Sequence, residues 1–124
     1  MGRIFGIGTD IVEISRFESA NIERLSKRIL TPLEFFEFEK SHNKIHFLAK
    51  KFSIKESVSK AFGVGIGARL SFLDIETSKN SEGKPICYIK NGRDTTLTNC
   101  KIAIHITSSD TKTLISTHCV VEII

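Results

Sequence analysis

The first apolar run, Ile4 to Ile14, carries Ile4, Phe5, Ile7, Ile11, Val12 and Ile14 on both parities of an extended chain. That pattern predicts a strand from about Ile4 to Glu13 buried on both faces. Gly6 and Gly8 leave it bare in the middle, and Asp10 places a carboxylate inside it. From Ile14 the spacing turns helical: "ISRFESANIERLSKRIL" sets Ile14, Phe17, Ile22, Leu25 and Ile29 broadly on one side and predicts one helix. Thr31, Pro32 and Glu34 then supply an N-cap, a first-turn proline and a capping box, so a second helix runs to about Lys40. A long helix follows from about Asn43 to Phe62 and stops at "GVGIG". The second half reads as sheet. "FLDIETSK" and "PICYIKN" are strands joined by "NSEGK", "GRDTTLTNC" is a short helix, and "KIAIHITSS" and "TLISTHCVVEII" alternate as two antiparallel strands turning near Asp110 and Lys112. The predicted class is α+β, an antiparallel sheet packed with a long helix.

Composition narrows the picture little. There is no repeat, low-complexity tract or linker, so residues 1–124 form one domain, long enough to bury roughly two-thirds of its unfolded surface. Three scattered cysteines, Cys87, Cys100 and Cys119, argue against a zinc site or a disulfide framework and suit a reducing, cytoplasmic setting. No leader and no membrane-spanning run is visible, and no membrane partner is expected. The net charge of +4 suits an acidic partner, a phosphorylated ligand or a nucleic acid. The chain has neither a basic run nor a readable nucleic-acid motif, so no nucleic-acid partner is expected.

The chemistry concentrates at two places. A buried Asp10 needs a partner, which is either a cation shared with a second carboxylate or a helix end, arginine or lysine. On the long helix, Phe47, Ile54, Val58 and Ala61 centre an apolar arc that Leu48, Phe52 and Phe62 widen, yet Lys51 and Lys55 fall inside it. Glu56 and Lys60 lie at its edge, four residues apart. They are either an ordinary surface ion pair or part of a site. Likewise the glycines after Phe62 are either a helix cap or a turn whose amides approach a phosphate. Asp10 and Glu56 together would suit Mg²⁺, which takes one or two carboxylates plus phosphates and waters.

"GIGTDIVEISRF" resembles the first motif of the bacterial holo-[acyl-carrier-protein] synthases, the small class of 4′-phosphopantetheinyl transferases. "FLAKKFSIKESVSKAFGVGIG" resembles their second motif, and "LSFLDIE", "GKP" and "HITSSDTKTLISTHCVVE" resemble the segments that follow, so the resemblance spans the chain. It implies the 4′-phosphopantetheinyl transferase fold and transfer of phosphopantetheine from coenzyme A to a serine of apo-acyl carrier protein, releasing 3′,5′-ADP and supporting fatty acid synthesis. It implies Asp10 and Glu56 as Mg²⁺ ligands, and Glu56 and Lys60 as catalytic residues. Lys55, Gly63, Gly65 and His105 would meet coenzyme A, with His105 near its 3′-phosphate. Arg16, joined by Arg24, Lys27 and Arg28 on the basic side of the first helix, would dock the carrier protein. Family members are homotrimers with active sites shared between subunits. This chain departs at Thr107, Ser108, Ser109 and Asp110, where a motif reading S-x-S/T-H is common. It also lacks a clear basic pair for the 3′-phosphate, for which His42, Lys44 and His46 are the nearby candidates. The serine base is open between Glu56 and a water on the metal. The alternative is a non-catalytic homologue that only binds coenzyme A or carrier protein, against which the intact Asp10, Glu56 and Lys60 argue.

Overall fold

The computed structural model describes residues 2–124. Strand β1 (Arg3–Glu13) pairs antiparallel with β5 (Leu114–Ile123), from Arg3 opposite Ile123 to Glu13 opposite Leu114, with a bulge between Ile4 and Gly6. Strand β4 (Ile102–Asp110) pairs with the other edge of β5, so β5 is the central strand, in the order β1-β5-β4. The antiparallel part is therefore divided: β2 (Ile75–Lys79) and β3 (Pro85–Ile89) form a separate hairpin, with Thr77 opposite Cys87.

Four helices connect β1 to the hairpin. Helix α1 (Ser15–Glu18) and helix α2 (Ile22–Ile29) take the place of the single helix that the apolar spacing predicts. The break has a local cause. The Asn21 backbone is extended and its side chain accepts from the Arg24 amide at 3.1 Å, so asparagine caps a new helix instead of continuing the old one. Arg16 consequently stands on a different helix from Arg24, Lys27 and Arg28. Helix α3 (Pro32–Lys40) starts with the predicted capping box, Thr31 accepting from the Glu34 amide and Glu34 from the Thr31 amide. Helix α4 (Lys44–Ala61) is capped by Asn43, which accepts from the His46 amide at 3.1 Å. Helix α5 (Arg93–Thr98) leads from β3 to β4.

Helix α4 is the central element, laid across β1 and β5 and buried on several sides. One core joins it to Val12, Phe17, Ile29, Phe38 and Ile115, and a second joins its C-terminal half to Leu70, Ile75, Cys119 and Val121. Ser53, Ser57 and Ala61, four residues apart, put a stripe of small side chains under the sheet. Ser53 and Thr117 of β5 exchange hydrogen bonds there, with the Thr117 hydroxyl donating to the Ser53 carbonyl at 2.9 Å.

The two-faced burial predicted for β1 is corrected. Gly6, Gly8, Asp10 and Val12 face α4, while Ile7 and Ile11 point away from it, 71% and 65% exposed. The glycines occupy the inner face because nothing larger fits. A Cβ on Gly8 would lie 1.9 Å from the Ser57 carbonyl oxygen, and one on Gly6 1.9 Å from that of Ala61. The strand and the helix meet backbone to backbone.

This contact predicts an asymmetric response to alanine. Gly8→Ala would drive a methyl into helix backbone that cannot yield, and a loss of about 2–3 kcal/mol in urea unfolding is expected. Gly67→Ala, whose Cβ meets open space, should change stability by no more than about 0.5 kcal/mol.

Candidate active site

The inward parity of β1 and the edge of α4 bring Asp10, Glu56 and Lys60 together. The Lys60 ammonium lies 3.3 Å from Asp10 Oδ1 and donates to the Thr9 carbonyl at 3.0 Å, so its partner is Asp10 and not the Glu56 one turn away. Asp10 is only 14% exposed through its side chain, and its other oxygen, Oδ2, is buried with no hydrogen-bond partner. A buried, unpartnered carboxylate oxygen costs free energy unless a ligand takes it up. Glu56 is half-buried beside it. Burial and then the Asp10 carboxylate push the Glu56 carboxyl above its usual value, with Lys60 and Arg16 opposing. Two crowded carboxylates, one with an orphaned oxygen, form a hard-oxygen donor set suited to a divalent cation. Among the described residues no third acidic, histidine or cysteine side chain joins them. The protein would supply two ligands and leave the rest to phosphate and water, as Mg²⁺ sites commonly do.

Around this centre the basic residues divide. Arg16, Arg28 and Glu56 line a pocket of about 410 Å³ whose floor includes Phe17, Leu25 and Phe52. The Arg16 guanidinium stacks 5.3 Å from the Phe52 ring centre. Arg24 and Lys27 are exposed on α2, outside the pocket lining. A second cavity of about 560 Å³ lies between the first half of α4, the β2–β3 hairpin and β4. Lys50 and Lys51 line it, and the sequence marks only Lys51, by its position inside an apolar arc. Its ammonium is tied to Thr77, 2.5 Å from the hydroxyl. Of the three candidates for a phosphate contact, only His46 lines this cavity. Lys44 is turned back onto the carbonyls of Glu39 and Ser41, and His42 is exposed. His46 is held by Asp110 at 2.6 Å, which gives the departure at Asp110 a structural role.

The four residues expected to meet coenzyme A are placed otherwise by a single chain. Lys55 has no exposed side-chain surface. Its ammonium donates to Glu34 Oε1 and the Ile29 carbonyl, both at 2.6 Å, and to the Phe72 carbonyl at 3.0 Å. With three protons committed internally, it has none for a ligand. Gly63 and Gly65 are needed for their left-handed backbone, φ +80° and +66°. Their amides donate to the carbonyls of Lys60 and Ser59 and close α4, so the cap reading holds and these N–H groups are not free for phosphate. His105 stands on the outer face of β4, 55% exposed and 3.0 Å from Glu122, while Ile104 and Ile106 point into the core. A single chain therefore places His105 and Asp10 on opposite faces of the sheet.

Residues 6–116 match the model of the 4′-phosphopantetheinyl transferase superfamily. The chain belongs to that superfamily. A holo-[acyl-carrier-protein] synthase of Shewanella piezotolerans is 47% identical over 98 residues, covering 72% of this chain and 75% of that protein. Among solved structures, the synthase of Neisseria meningitidis superposes with a TM-score of 0.87 at 31% identity, over 96% of this chain and 98% of that one. That of Bacillus anthracis, solved in complex with CoA (3′,5′-ADP), gives 0.84 at 33% identity, over 98% of each. The chain is thus a transferase of the synthase type, with the α+β fold of these structures, and Asp10, Glu56, Lys60 and His105 all fall within the matched span.

Charge crowding in the transferase site predicts that Glu56→Gln stabilises the metal-free protein at neutral pH, by about 1–3 °C in melting temperature. A carboxyl whose folded value is raised favours the folded state while protonated, and that contribution is lost as pH rises through the raised value. The advantage of glutamine should therefore shrink as pH falls toward 4.5, the ordinary glutamate value. Calorimetry of both proteins across that range checks the sign.

Proposed function

We infer that the chain transfers 4′-phosphopantetheine from coenzyme A to a serine of an apo-acyl carrier protein, supporting fatty acid synthesis in the cytoplasm. The observation that carries the mechanism is the buried, unpartnered Asp10 Oδ2 beside Glu56 and Lys60. The serine oxygen attacks the phosphorus next to pantetheine, the phosphoanhydride bond breaks, and 3′,5′-ADP leaves. Such a transfer needs positioning and charge neutralisation above all. Asp10 and Glu56 would hold Mg²⁺, which when bound offsets the negative charge of the pyrophosphate. Lys60, fixed by the Thr9 carbonyl and Asp10 and half-exposed, presents its remaining proton to phosphate oxygens. Burial raises the Glu56 carboxyl in the metal-free protein and a bound cation would oppose that shift, so Glu56 and a water are both candidates to take the serine proton. The basic surface of Arg16, Arg24, Lys27 and Arg28 flanks the Glu56 pocket and steers an acidic carrier protein toward it.

The chain acts as one domain in a homotrimer with shared sites. Support comes from the outer sheet face, where Ile7 and Ile11 are largely exposed and where His105 faces away from the Asp10 of its own chain. Exposed apolar surface of this kind marks association, and a neighbouring subunit would supply the missing histidine.

Incubation with apo-carrier protein, coenzyme A and Mg²⁺ should add the mass of one phosphopantetheine and release 3′,5′-ADP. Asp10→Ala and Glu56→Ala should each lower turnover by at least about 10²-fold with the fold retained. Near-wild-type turnover by either at saturating Mg²⁺ would refute the ligand assignment. For assembly, light scattering should give three copies for the wild type and one for Ile7→Glu combined with Ile11→Glu. An active wild-type monomer at assay concentration would refute the trimer.

A further inference from the structure

Lys55 and Glu34 form an ion pair with no exposed surface on either side chain. Nothing in the transfer chemistry uses it, yet Lys55 immediately precedes Glu56. Its ammonium grips three separate elements: Glu34 in the first turn of α3, the Ile29 carbonyl at the end of α2, and the Phe72 carbonyl in the short 3-10 turn Phe72–Asp74. Glu34 is saturated in turn. Its Oε1 also accepts from the Thr31 amide at 2.9 Å, and its Oε2 from the Thr77 amide at 2.8 Å and the Thr77 hydroxyl at 3.2 Å. The pair therefore ties α4 to α2, α3, β2 and the 3-10 turn from the side away from β1.

Stability alone is a poor reason for such a pair. Desolvating two charges costs several kcal/mol, and well-packed apolar residues of like volume often serve as well or better. What a saturated, directional pair supplies is a fixed angle. The glycine contact with β1 limits how near α4 can approach the sheet and the Ser53–Thr117 hydrogen bonds anchor one turn of it, but neither holds the opposite side of the helix, which carries Lys55. A carboxylate tip sits about 5–6 Å from a helix axis, so a rotation of ~20° moves it by about 2 Å. That is as long as a whole Mg²⁺–oxygen bond, ~2.0–2.1 Å.

We propose that the buried Lys55–Glu34 pair sets the rotation of α4 and so aims Glu56 at Asp10, which makes Lys55 and Glu34 positioning residues of the transferase site. The inference rests on the metal reading of Asp10 and Glu56. The grip lies one residue, about 100° of helix, away from the group it orients. It is made by hydrogen bonds of 2.6–3.0 Å to groups that are themselves held.

The test replaces both partners together, Lys55→Met with Glu34→Met, so that no unpaired charge is buried. Binding of Mn²⁺ in the presence of coenzyme A is read by electron paramagnetic resonance, alongside urea unfolding. The expected result is a lowered unfolding midpoint, because the Ile29 and Phe72 carbonyls and the Thr31 and Thr77 amides lose their partners, together with Mn²⁺ affinity of the folded protein weakened about tenfold or more, as when groups that orient metal ligands are removed. A purely structural pair would shift the unfolding midpoint and leave the folded protein's Mn²⁺ affinity unchanged. A folded double variant within about twofold of wild-type affinity overturns the proposal. Should that variant fail to fold, Lys55→Gln combined with Glu34→Gln, which removes both charges and keeps side-chain amides that can donate to the carbonyls and accept from the backbone amides, decides by the same measurement. A weakening of about threefold or more is then expected, and wild-type affinity overturns the proposal. Folded wild-type protein that binds no Mn²⁺ with coenzyme A would remove the metal site itself, a failure visible before any substitution is made.

Discussion

The backbone contact between β1 and α4 is the constraint on which the rest of the molecule depends. Gly6 and Gly8 meet the carbonyls of Ala61 and Ser57 with no room for a Cβ. Ser53, Ser57 and Ala61 keep the matching helix face small. At that separation Asp10 and Lys60 come within 3.3 Å and Glu56 stands close enough to Asp10 for the two carboxylates to repel. A strand and helix held apart by ordinary side chains would leave these groups as separate surface charges, each solvated and without consequence for the other.

Much of the fold was legible because its signals are local. The Thr31–Glu34 capping box, the Asn43 start of α4 and its glycine stop depend on a few adjacent residues, and each lies where the pattern predicts. The strands of the second half were legible from alternation, but their division into a three-stranded sheet and a separate hairpin was not, since alternation carries no information about partners. The split between α1 and α2 was missed because apolar spacing continued smoothly across Asn21 while its side chain was capping a new helix.

For the site, motif spacing brought forward Asp10, Glu56 and Lys60, and geometry joins them. The directions of Lys55, His105 and the Gly63 and Gly65 amides were not readable, because each depends on what lies across space. Lys55 is adjacent in sequence to a residue that faces the site, but a helix turns about 100° per residue and points it at Glu34 instead. For β1, both parities being apolar was read as burial on two sides, whereas the inner side is glycine and carboxylate and the isoleucines look outward.

That alternation leaves β1 unusually intolerant of change. Between Gly6 and Val12, one set of positions is held by contact with the helix, by the Asp10 carboxylate and by the core. The other set carries the isoleucines on which, in the reading proposed above, the meeting of subunits rests. The drift that most edge strands absorb would here be felt on one face or the other. A compound that wedged against the outer face of this strand would press on the same few residues that hold Asp10, and the chain would have few silent substitutions with which to escape it.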